Sequence, residues 1–300
     1  MAELLGCLEG GGTKFVCAVG TGPEDIREEI RFPTTTPDET LGQAIAFFKK
    51  YDLAAIGLAP FGPLDLDPAS SNFGLISATP KPGWAGTNLL KRFHQAFDLP
   101  VAIDTDVNAA AFGEYWWVPE NRGLDSLIYY TIGTGIGGGA LVNGKLVHGL
   151  THPEAGHVSI PHDRAKDPFP GSCPFHGDCF EGLANGPAIG KRWGQPADRL
   201  PDDHPAWELE AGYIAAALAN VILTISPRRI VLGGGVMERQ QLFPLIRRQV
   251  REILNSYVPS PVIAGSMETY IVPPALGKRS GILGAMALGK SVFSGDWKSG

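Results

Sequence analysis

Charge is scarce in this sequence: Asp, Glu, Lys and Arg make up only 19% of its 300 residues, and the formal net charge is −6. No block of like charge accompanies that value, which disfavours nucleic acid or an anionic membrane as a partner. Long apolar runs are also lacking, since even residues 211–225 are interrupted by Asn220 and Thr224 and fall short of the ~20 apolar residues that cross a bilayer. The first twelve residues lack the basic flank and long apolar core of a signal peptide. We therefore expect a cytoplasmic protein whose partners include no nucleic acid and no membrane. Its substrate should be small and either neutral or bound together with a metal ion.

Cysteine is also rare, with four residues in two pairs. Cys7 and Cys17 lie in the first apolar segments, where small buried side chains are the simplest interpretation. Cys173 and Cys179 flank His176 in one short loop. In a reducing compartment this second pair is more typical of metal ligands than of a disulfide, and a loop of free thiols is the alternative.

A chain of this length with 44% hydrophobic residues can bury two cores of ordinary size. Periodicity and turn residues predict two α/β halves, 1–115 and 116–300, each opened by a glycine-turned hairpin, and the final helix, 281–293, could pack back on the first half. Such a duplication suggests a cleft between two lobes. The predicted strands are 4–8, 15–19, a segment around Ile30, 53–58, 101–103, 126–132, 140–142, 229–232 and 269–272, and the predicted helices are 40–50, 88–97, 108–116, 209–224, 242–256 and 281–290.

Three glycine-rich turns follow predicted strands. Glycine lets backbone N–H groups approach a phosphate without an intervening side chain. The first turn adds Thr13 and Lys14, and the second, residues 131–139, adds Thr131 and Thr134. Phosphate binding is therefore the favoured interpretation, and the alternative is that tight hairpins simply use glycine.

The second glycine turn nearly matches the G-x-G-x-x-G pattern of dinucleotide-binding folds. That pattern opens a helix after a strand, whereas here another predicted strand, 140–142, and an Asn143-Gly144 turn follow. The element is therefore predicted to be a hairpin, which disfavours a nicotinamide-dependent dehydrogenase. The chain also lacks G-x-x-x-x-G-K-[ST], the phosphate loop of ordinary P-loop proteins.

Five motifs in a fixed order carry a family resemblance: Gly10 to Lys14, Asp106 with Asn108-Ala109-Ala110-Ala111, Thr131 to Gly139, Glu154-Ala155-Gly156-His157 and Cys179-Phe180-Glu181-Gly182. Their order and spacing resemble the ROK family of sugar kinases and repressors over nearly the whole chain, and the loop 173–179 looks like the fructokinase branch. The resemblance implies an α/β, actin-like ATPase (ribonuclease H-like) duplicated fold with ATP in an interlobe cleft. It also implies a homodimer. Repressors of the family carry an N-terminal DNA-binding domain, and this chain begins at the first phosphate strand, which favours a kinase.

The resemblance further implies that the first two glycine turns bind the phosphates of ATP and that the third lies beside the adenosine. At the first turn the family has Asp before Gly-Gly-Thr, whereas this chain has Glu9 and Gly10. The longer carboxylate could hold a magnesium-bound water, so ATP with Mg²⁺ is expected while the direct magnesium ligand stays open. The ATP-binding residues implied are Gly11, Gly12, Thr13, Lys14, Thr131, Gly133, Thr134, Gly135, Gly137, Gly233, Gly234 and Gly235.

Asp106 is the candidate catalytic base, because phosphoryl transfer needs a group that accepts the proton of the attacking hydroxyl. It lies between the strand 101–103 and the next helix, at the carboxyl end of a predicted parallel sheet. From the residues alone, Asp104 or Asp106 could equally cap that helix. The family's catalytic Asp corresponds to Asp106, which leaves Asp104 as a cap. Thr105 stands where the family commonly has a sugar-binding Asn, and its hydroxyl retains one such contact.

Carboxylates suit sugar binding because each oxygen accepts hydrogen bonds from hydroxyls, which rejects analogues that lack them. A solvated loop is the alternative for Glu154, and Trp84, in the loop 79–84, could cover the sugar or simply pack. The loop 59–63 would complete the pocket. The sugar-binding residues expected from these loops and from the resemblance are Thr105, Asp106, Glu154, His157, Glu181, Gly62 and Trp84.

Three ligands of one short loop can hold a metal ion: Cys173, His176 and Cys179. A structural zinc needs a fourth ligand to close a tetrahedron. The family's fourth ligand corresponds to His157, with His152 and His162 as nearby competitors. Four protein ligands leave no open position, so we expect a structural Zn²⁺ that fixes the sugar-binding loop rather than a hydrolytic centre.

The function expected from the sequence is ATP-dependent phosphorylation of a hexose, most simply of fructose to fructose 6-phosphate. Glucose, mannose or N-acetylmannosamine remain alternative substrates within the family. A protein that senses sugar without turnover is the alternative from another class, and Asp106 disfavours it because sensing requires no base.

Overall fold

The computed structural model describes residues 3–79 and 81–296. Contacts divide the chain into two compact units, each assembled from separated segments. Pro80, in the loop 79–84, lies outside the described residues. Unit 1 comprises Met1–Leu124, Gly139–Pro153 and Ala275–Gly300, and unit 2 comprises Asp125–Gly138 and Glu154–Pro274.

The described residues form ten strands, most of them short apolar runs bounded by glycine, proline or polar residues, as a buried strand requires. They are β1 (Leu5–Gly10), β2 (Lys14–Gly22), β3 (Asp25–Pro33), β4 (Ala55–Pro60), β5 (Val101–Ile103), β6 (Ser126–Ile132), β7 (Ile136–Val142), β8 (Lys145–Leu146), β9 (Ile230–Gly233) and β10 (Ile271–Val272).

Ten α-helices lie in the same described ranges, and a side-chain oxygen caps the N-termini of several of them. Thr36, Asn88, Thr105 and Asn185 each accept a hydrogen bond from the backbone N–H three residues later. The helices are α1 (Pro37–Phe48), α2 (Leu89–Ala96), α3 (Asp106–Trp117), α4 (Phe180–Ala184), α5 (Gly186–Trp193), α6 (Ala206–Thr224), α7 (Leu242–Leu254), α8 (Pro261–Gly265), α9 (Met267–Tyr270) and α10 (Ser280–Ser294).

The sheet of unit 1 has the strand order β3-β2-β1-β4-β5. β1, β2 and β3 are antiparallel neighbours, which confirms the predicted hairpin, and β4 and β5 extend β1 in parallel. The core against this sheet includes Phe47, Phe48 and Phe93 from the flanking helices. Because β4 and β5 run parallel, their carboxyl ends meet at one edge, where α3 begins.

The second sheet has the order β10-β9-β6-β7-β8, with β9 parallel to both β6 and β10. The prediction of a strand over 269–272 was wrong for its first half. Thr269 and Tyr270 end the short helix α9, and only Ile271 and Val272 pair with β9. Two bonded positions at a sheet edge leave too little pattern in the sequence to separate strand from helix.

The 19-residue helix α6 is long and apolar enough, by length and composition, to pass as a membrane span. Its most apolar window has a mean hydropathy of 1.2, and 67% of that window is buried inside the protein. Core helices of soluble proteins pass the same test, so this helix is weak support for a membrane segment.

α3 and α10 pack backbone to backbone within unit 1. A Cβ atom added to Gly284 would lie 1.9 Å from the carbonyl oxygen of Ala109. A Cβ atom added to Gly113 would lie 2.8 Å from the Cα atom of Gly284. Both positions therefore require glycine, because no L-residue with a side chain fits without moving a helix backbone.

We predict that Gly284→Ala lowers the free energy of unfolding by about 1–3 kcal/mol, the usual effect of overpacking a core. Gly42→Ala is the matched control, because Gly42 lies in α1 with no atom within 4 Å of an added Cβ. Because alanine loses less backbone conformational entropy on folding than glycine does, that control should be more stable by about 0.5–1 kcal/mol. Chemical denaturation of both variants measures the difference, and equal stabilities would contradict the packing described.

Candidate active site and metal centre

The first glycine turn, in unit 1, joins β1 to β2 and leaves its backbone open. The N–H of Gly11 donates to the carbonyl oxygen of Lys14 at 2.9 Å, and the hydroxyl of Thr34 donates to the carbonyl oxygen of Gly11 at 2.7 Å. Gly12, Thr13 and Lys14 are exposed, and nothing lies within 4 Å of a Cβ atom added to Gly12. The turn can therefore present backbone N–H groups and the Lys14 ammonium to an anion.

The carboxylate of Glu9 lies against the first turn of α10. A Cβ atom added to Gly281 would be 2.5 Å from the Glu9 carboxyl carbon, and the backbone N–H of Ile282 donates to the carboxylate. Burial raises the pKa of Glu9, and the nearby charge of Lys14 partly opposes that shift. This side chain is therefore engaged with α10 rather than directed at the open turn.

The second and third glycine turns meet in unit 2. Thr131 of β6 pairs with Gly233 of β9, so the two turns leave neighbouring strands at the same level. Gly234 has a φ of +91°, and a Cβ atom added there would lie 2.4 Å from the carbonyl oxygen of Ile132. The conformation and the contact both require glycine at this position. Gly137, by contrast, lies within strand β7.

The start of α5 joins these turns, because the N–H of Gly186 donates to the carbonyl oxygen of Gly133 at 2.7 Å. Together they border a cavity of 770 Å³, which is within the usual range for a small-molecule site. Small residues and backbone form most of its wall, with Lys191 as the cationic side chain. The lining residues are Gly133, Thr134, Gly186, Pro187, Gly190, Lys191, Gly194, Gln195, Pro196, Ala197, Asp198, Gly235 and Val236.

Most of this lining was missed by sequence reasoning, which named only Gly133, Thr134 and Gly235. The available signal was the run Asn185-Gly186-Pro187, a capping residue followed by proline in the first helical turn. That signal marks where α5 begins but does not show that the helix faces a ligand site.

Asp106 is the first residue of α3, and its half-buried side chain accepts a hydrogen bond from the N–H of Val107 at 2.9 Å. At the N-terminus of a 12-residue helix, the helix dipole favours the ionised form of a carboxylate. The cap of α3 is Thr105, whose hydroxyl oxygen accepts from the N–H of Asn108 at 3.1 Å. Neither aspartate is therefore the cap.

The expectation that Asp104 caps α3 was wrong. The N-cap is Thr105, and the fully buried side chain of Asp104 instead accepts hydrogen bonds from the N–H of Thr105, the side-chain amide of Asn108 and the ring of His148. Each of these three distances is 2.8 Å. A buried carboxylate is tolerated when it has such donors.

Trp84 is a core residue in this structure. It is 0% exposed, its ring centroid lies 5.3 Å from those of Phe15 and Phe61, and its indole N–H donates to the carbonyl oxygen of Thr35 at 2.8 Å. Packing is therefore what this side chain does here, and its ring is not available to cover a sugar. Gly62 lies beside the ring of His152, because a Cβ atom added to Gly62 would be 3.2 Å from that ring.

The two expected sugar carboxylates of unit 2 are placed by short local structures. Oε2 of Glu181, in α4, accepts a hydrogen bond from the N–H of Ile136 at 2.8 Å, beside Gly135 of the second glycine turn. Glu154 is exposed, and its carbonyl oxygen accepts from the N–H of His157 in a short 3₁₀ turn.

The structure brings the expected metal ligands together in unit 2. Their ligand atoms all lie within 4.8 Å of one another. Nδ1 of His157 is 3.7 Å from each sulfur, and Nδ1 of His176 is 3.6 Å from the sulfur of Cys173. The edge of a zinc tetrahedron between sulfur and nitrogen is about 3.6 Å from the usual bond lengths. The cluster of His157, Cys173, His176 and Cys179 therefore fits a four-coordinate zinc site.

The competing histidines have other partners. Nδ1 of His162 lies 3.0 Å from Asp178, and its Nε2 lies 2.9 Å from the carbonyl oxygen of Asp167. Nε2 of His152 accepts a hydrogen bond from the N–H of Leu64 at 3.0 Å. Among the candidates for a fourth ligand, His157 is thus the histidine that the structure groups with the cysteines.

Comparison with known proteins finds relatives in sequence and a structural neighbour with a similar fold. A Bacillus subtilis (strain 168) protein named "Putative fructokinase" is 48% identical over 297 residues, which are 99% of each chain. A Lactococcus lactis subsp. cremoris protein named fructokinase is 43% identical over 98% of this chain and 99% of its own length. A crystal structure of a ROK family glucokinase from Streptomyces griseus, in complex with glucose and AMPPNP, superposes with a TM-score of 0.73. That pair is 24% identical and aligned over 96% of this chain and 99% of the other.

These likenesses agree with the predicted α/β, actin-like ATPase fold and with the two five-stranded sheets of the structure. The model of the ROK family matches residues 5–292, nearly the whole sequence. The chain belongs to the ROK family.

Proposed function

We propose that this protein is an ATP-dependent fructokinase that converts fructose and ATP to fructose 6-phosphate and ADP. Identities of 48% and 43% to proteins named fructokinase or putative fructokinase, over nearly the whole length of each chain, support the substrate. The half-buried carboxylate of Asp106, at the first turn of α3 after the parallel strand β5, is the observation that carries the reaction class. A binding protein without turnover would have no use for a base there.

The proposed chemistry is a direct transfer. The C6 hydroxyl oxygen of fructose attacks the γ-phosphorus, the bond from that phosphorus to the β-bridging oxygen breaks, and Asp106 accepts the hydroxyl proton. Lys14 and the N–H groups of the glycine turns neutralise and orient the phosphates. The cavity beside α5 takes the adenosine, with Gly235 of the third glycine turn in its lining. Thr105, Glu154, Glu181 and the Gly62 loop hold the hydroxyls of the sugar.

Magnesium, when bound, neutralises charge on the phosphates of ATP. The carboxylate of Glu9 is held by the N–H of Ile282 at the start of α10, so it fits a contact through water better than a direct bond to the metal. We therefore propose that Mg²⁺ arrives with ATP and that no protein carboxylate of the first turn binds it directly.

A structural zinc is also part of the proposal, held by His157, Cys173, His176 and Cys179. When bound, it supplies a cross-link with no open coordination position. Its ligands adjoin both sugar carboxylates, because His157 follows Glu154 by three residues and Cys179 precedes Glu181 by two. We also propose, from the family resemblance, that the enzyme is a cytoplasmic homodimer.

Asp106→Asn tests the base. We expect kcat to fall by about 10²–10⁴-fold, because an amide cannot accept the hydroxyl proton, while the KM for ATP changes little. Asp38→Asn is the matched control, since Asp38 also lies in the first turn of a Thr-capped helix but is exposed. A coupled assay of ADP release measures both variants, and unreduced turnover in the Asp106→Asn enzyme would rule out the proposed mechanism.

The substrate is tested with fructose, glucose, mannose and N-acetylmannosamine in the same assay. We expect the highest kcat/KM with fructose, and phosphate at C6 of the product by NMR. A preference for another sugar would replace fructose but keep the reaction class. Sugar binding without any ADP release would instead favour the non-catalytic sensor.

Cys179→Ser tests the zinc site. We expect loss of bound zinc and a rise in the KM for fructose of about 10-fold or more, as is typical when the support of a ligand site is removed. The KM for ATP should change less, because none of the four metal ligands lines the cavity beside α5. Cys7→Ala, in unit 1, should retain zinc and both KM values. Normal fructose affinity in a zinc-free variant would exclude this structural role.

A further inference from the structure

Two histidines outside the predicted site lie in one short segment of unit 1. The segment, residues 147–153, follows β8 and is attached to β7 by a 2.9 Å hydrogen bond from the N–H of Val147 to the carbonyl oxygen of Ala140. The His148 side chain is 13% exposed and His152 is 6% exposed. Neither belongs to the metal cluster, and the proposed chemistry assigns neither a role.

His148 completes the hydrogen bonding of a buried acid. Its Nε2 lies 2.8 Å from Oδ2 of Asp104 and is the donor, because an ionised carboxylate only accepts. The other oxygen of Asp104 accepts from the N–H of Thr105 and the side-chain amide of Asn108. Burial acts to lower the pKa of His148, but the hydrogen bond and charge of Asp104 outweigh it and raise that pKa.

Asp104 in turn fixes the turn that carries Asp106. Thr105 and Asn108, on either side of Asp106, are both bonded to Asp104 and to each other. The side-chain oxygen of Asn108 also accepts from the N–H of Ala140 at 3.3 Å. Asp104, Thr105 and Asn108 therefore form a ring of hydrogen bonds, and His148 is bonded to this ring through Asp104. The direction of the Asp106 carboxylate depends on that ring.

His152 has the opposite hydrogen-bonding role on another loop. Its Nε2 accepts from the N–H of Leu64 at 3.0 Å, and its ring packs beside Gly62. The same loop is tied to the first glycine turn, because the N–H of Phe61 donates to the carbonyl oxygen of Gly10 at 2.6 Å. His152 thus holds the Gly62 loop through a hydrogen bond to the backbone of Leu64 and through contact with Gly62.

We propose that His148 and His152 are positioning residues of the sugar site, with separable effects. His148 orients the base Asp106 through Asp104, and His152 holds the sugar-binding Gly62 loop through Leu64. This inference rests on the proposed kinase function. A general structural role would affect both kinetic constants, whereas here loss of His148 should lower kcat and loss of His152 should raise the KM for fructose.

The test replaces each histidine with leucine and with glutamine. His148→Leu should lower kcat about 10- to 100-fold, the usual effect of a misplaced catalytic group, with the KM for fructose changed less than about 3-fold. His152→Leu should raise the KM for fructose about 10-fold, as the loss of a buried hydrogen-bond partner does, and leave kcat within about 3-fold. Glutamine should restore most of each loss, because its amide can donate to Asp104 or accept from Leu64. His94→Ala, an exposed histidine of α2, is the control and should match the parent enzyme.

Coupled variants separate this inference from simple destabilisation. Asp104→Asn, which keeps the side-chain volume, should lower kcat as His148→Leu does, and the double variant should be no worse than the more severe single variant. In the Asp106→Asn background, His148→Leu should cause no further loss, since the base it positions is absent. The inference would be overturned if kcat were unchanged in both His148→Leu and Asp104→Asn. It would also be overturned if His148→Leu and His152→Leu each lowered kcat and raised the KM for fructose to the same extent. Unreduced turnover in Asp106→Asn would instead overturn the assignment of Asp106 as the base, and the absence of ADP release from the parent enzyme with every sugar tested would overturn the proposed function itself.

Discussion

The position of α3 depends on direct contact between backbones on two of its sides. A Cβ atom added to Gly139 in β7 would lie 2.1 Å from the carbonyl oxygen of Val107, and one added to Gly284 would lie 1.9 Å from that of Ala109. Packed helices with ordinary side chains keep their axes about 8–10 Å apart. Contact through glycine is closer and leaves no flexible side chain to absorb a shift. The helix that carries Asp106 is therefore held rigidly, and a rigid support is what a catalytic group needs.

Local sequence signals predicted the elements of the fold well where each element had its own hydrophobic core face. The hairpin of β1 and β2 was confirmed because two apolar runs flank a glycine turn, and β6 matched its predicted bounds, 126–132. The start of β7 at Ile136, rather than Ala140, was missed because three of the four residues from 136 to 139 are glycine, which disfavours a strand by propensity. Those glycines admit other backbones, such as that of Val107 against Gly139, and a long-range contact of this kind has no local signature.

The candidate site was predictable as motifs but not as hydrogen-bonded pairs. Three metal ligands share a local pattern, Cys173-x-x-His176-x-x-Cys179, and the structure groups them with His157, the fourth ligand that the family resemblance implied. Asp104 was misread as a cap because an aspartate before an alanine-rich helix usually has that role. One of its three hydrogen-bond partners, His148, is 44 residues away, and Leu64, which donates to His152, is 88 residues away from that histidine. Spacings of that size follow from the order of strands in the sheet, which residue patterns do not encode.

The two helices that carry the proposed acidic groups are stabilised by different means. α3 has 12 residues, a threonine cap and a glycine-mediated core contact, so its first turn is ordered by the fold of unit 1. α4 has five residues, and its N-cap, Cys179, makes no side-chain capping bond. A helix of that length is not stable on its own, because nucleation costs more than one turn of hydrogen bonds returns. The N–H of Phe180 donates to the carbonyl oxygen of Val158, which ties α4 to the segment after His157. A metal held between His157 and Cys179 would join those same two segments, so zinc at α4 would serve the purpose that core packing serves at α3.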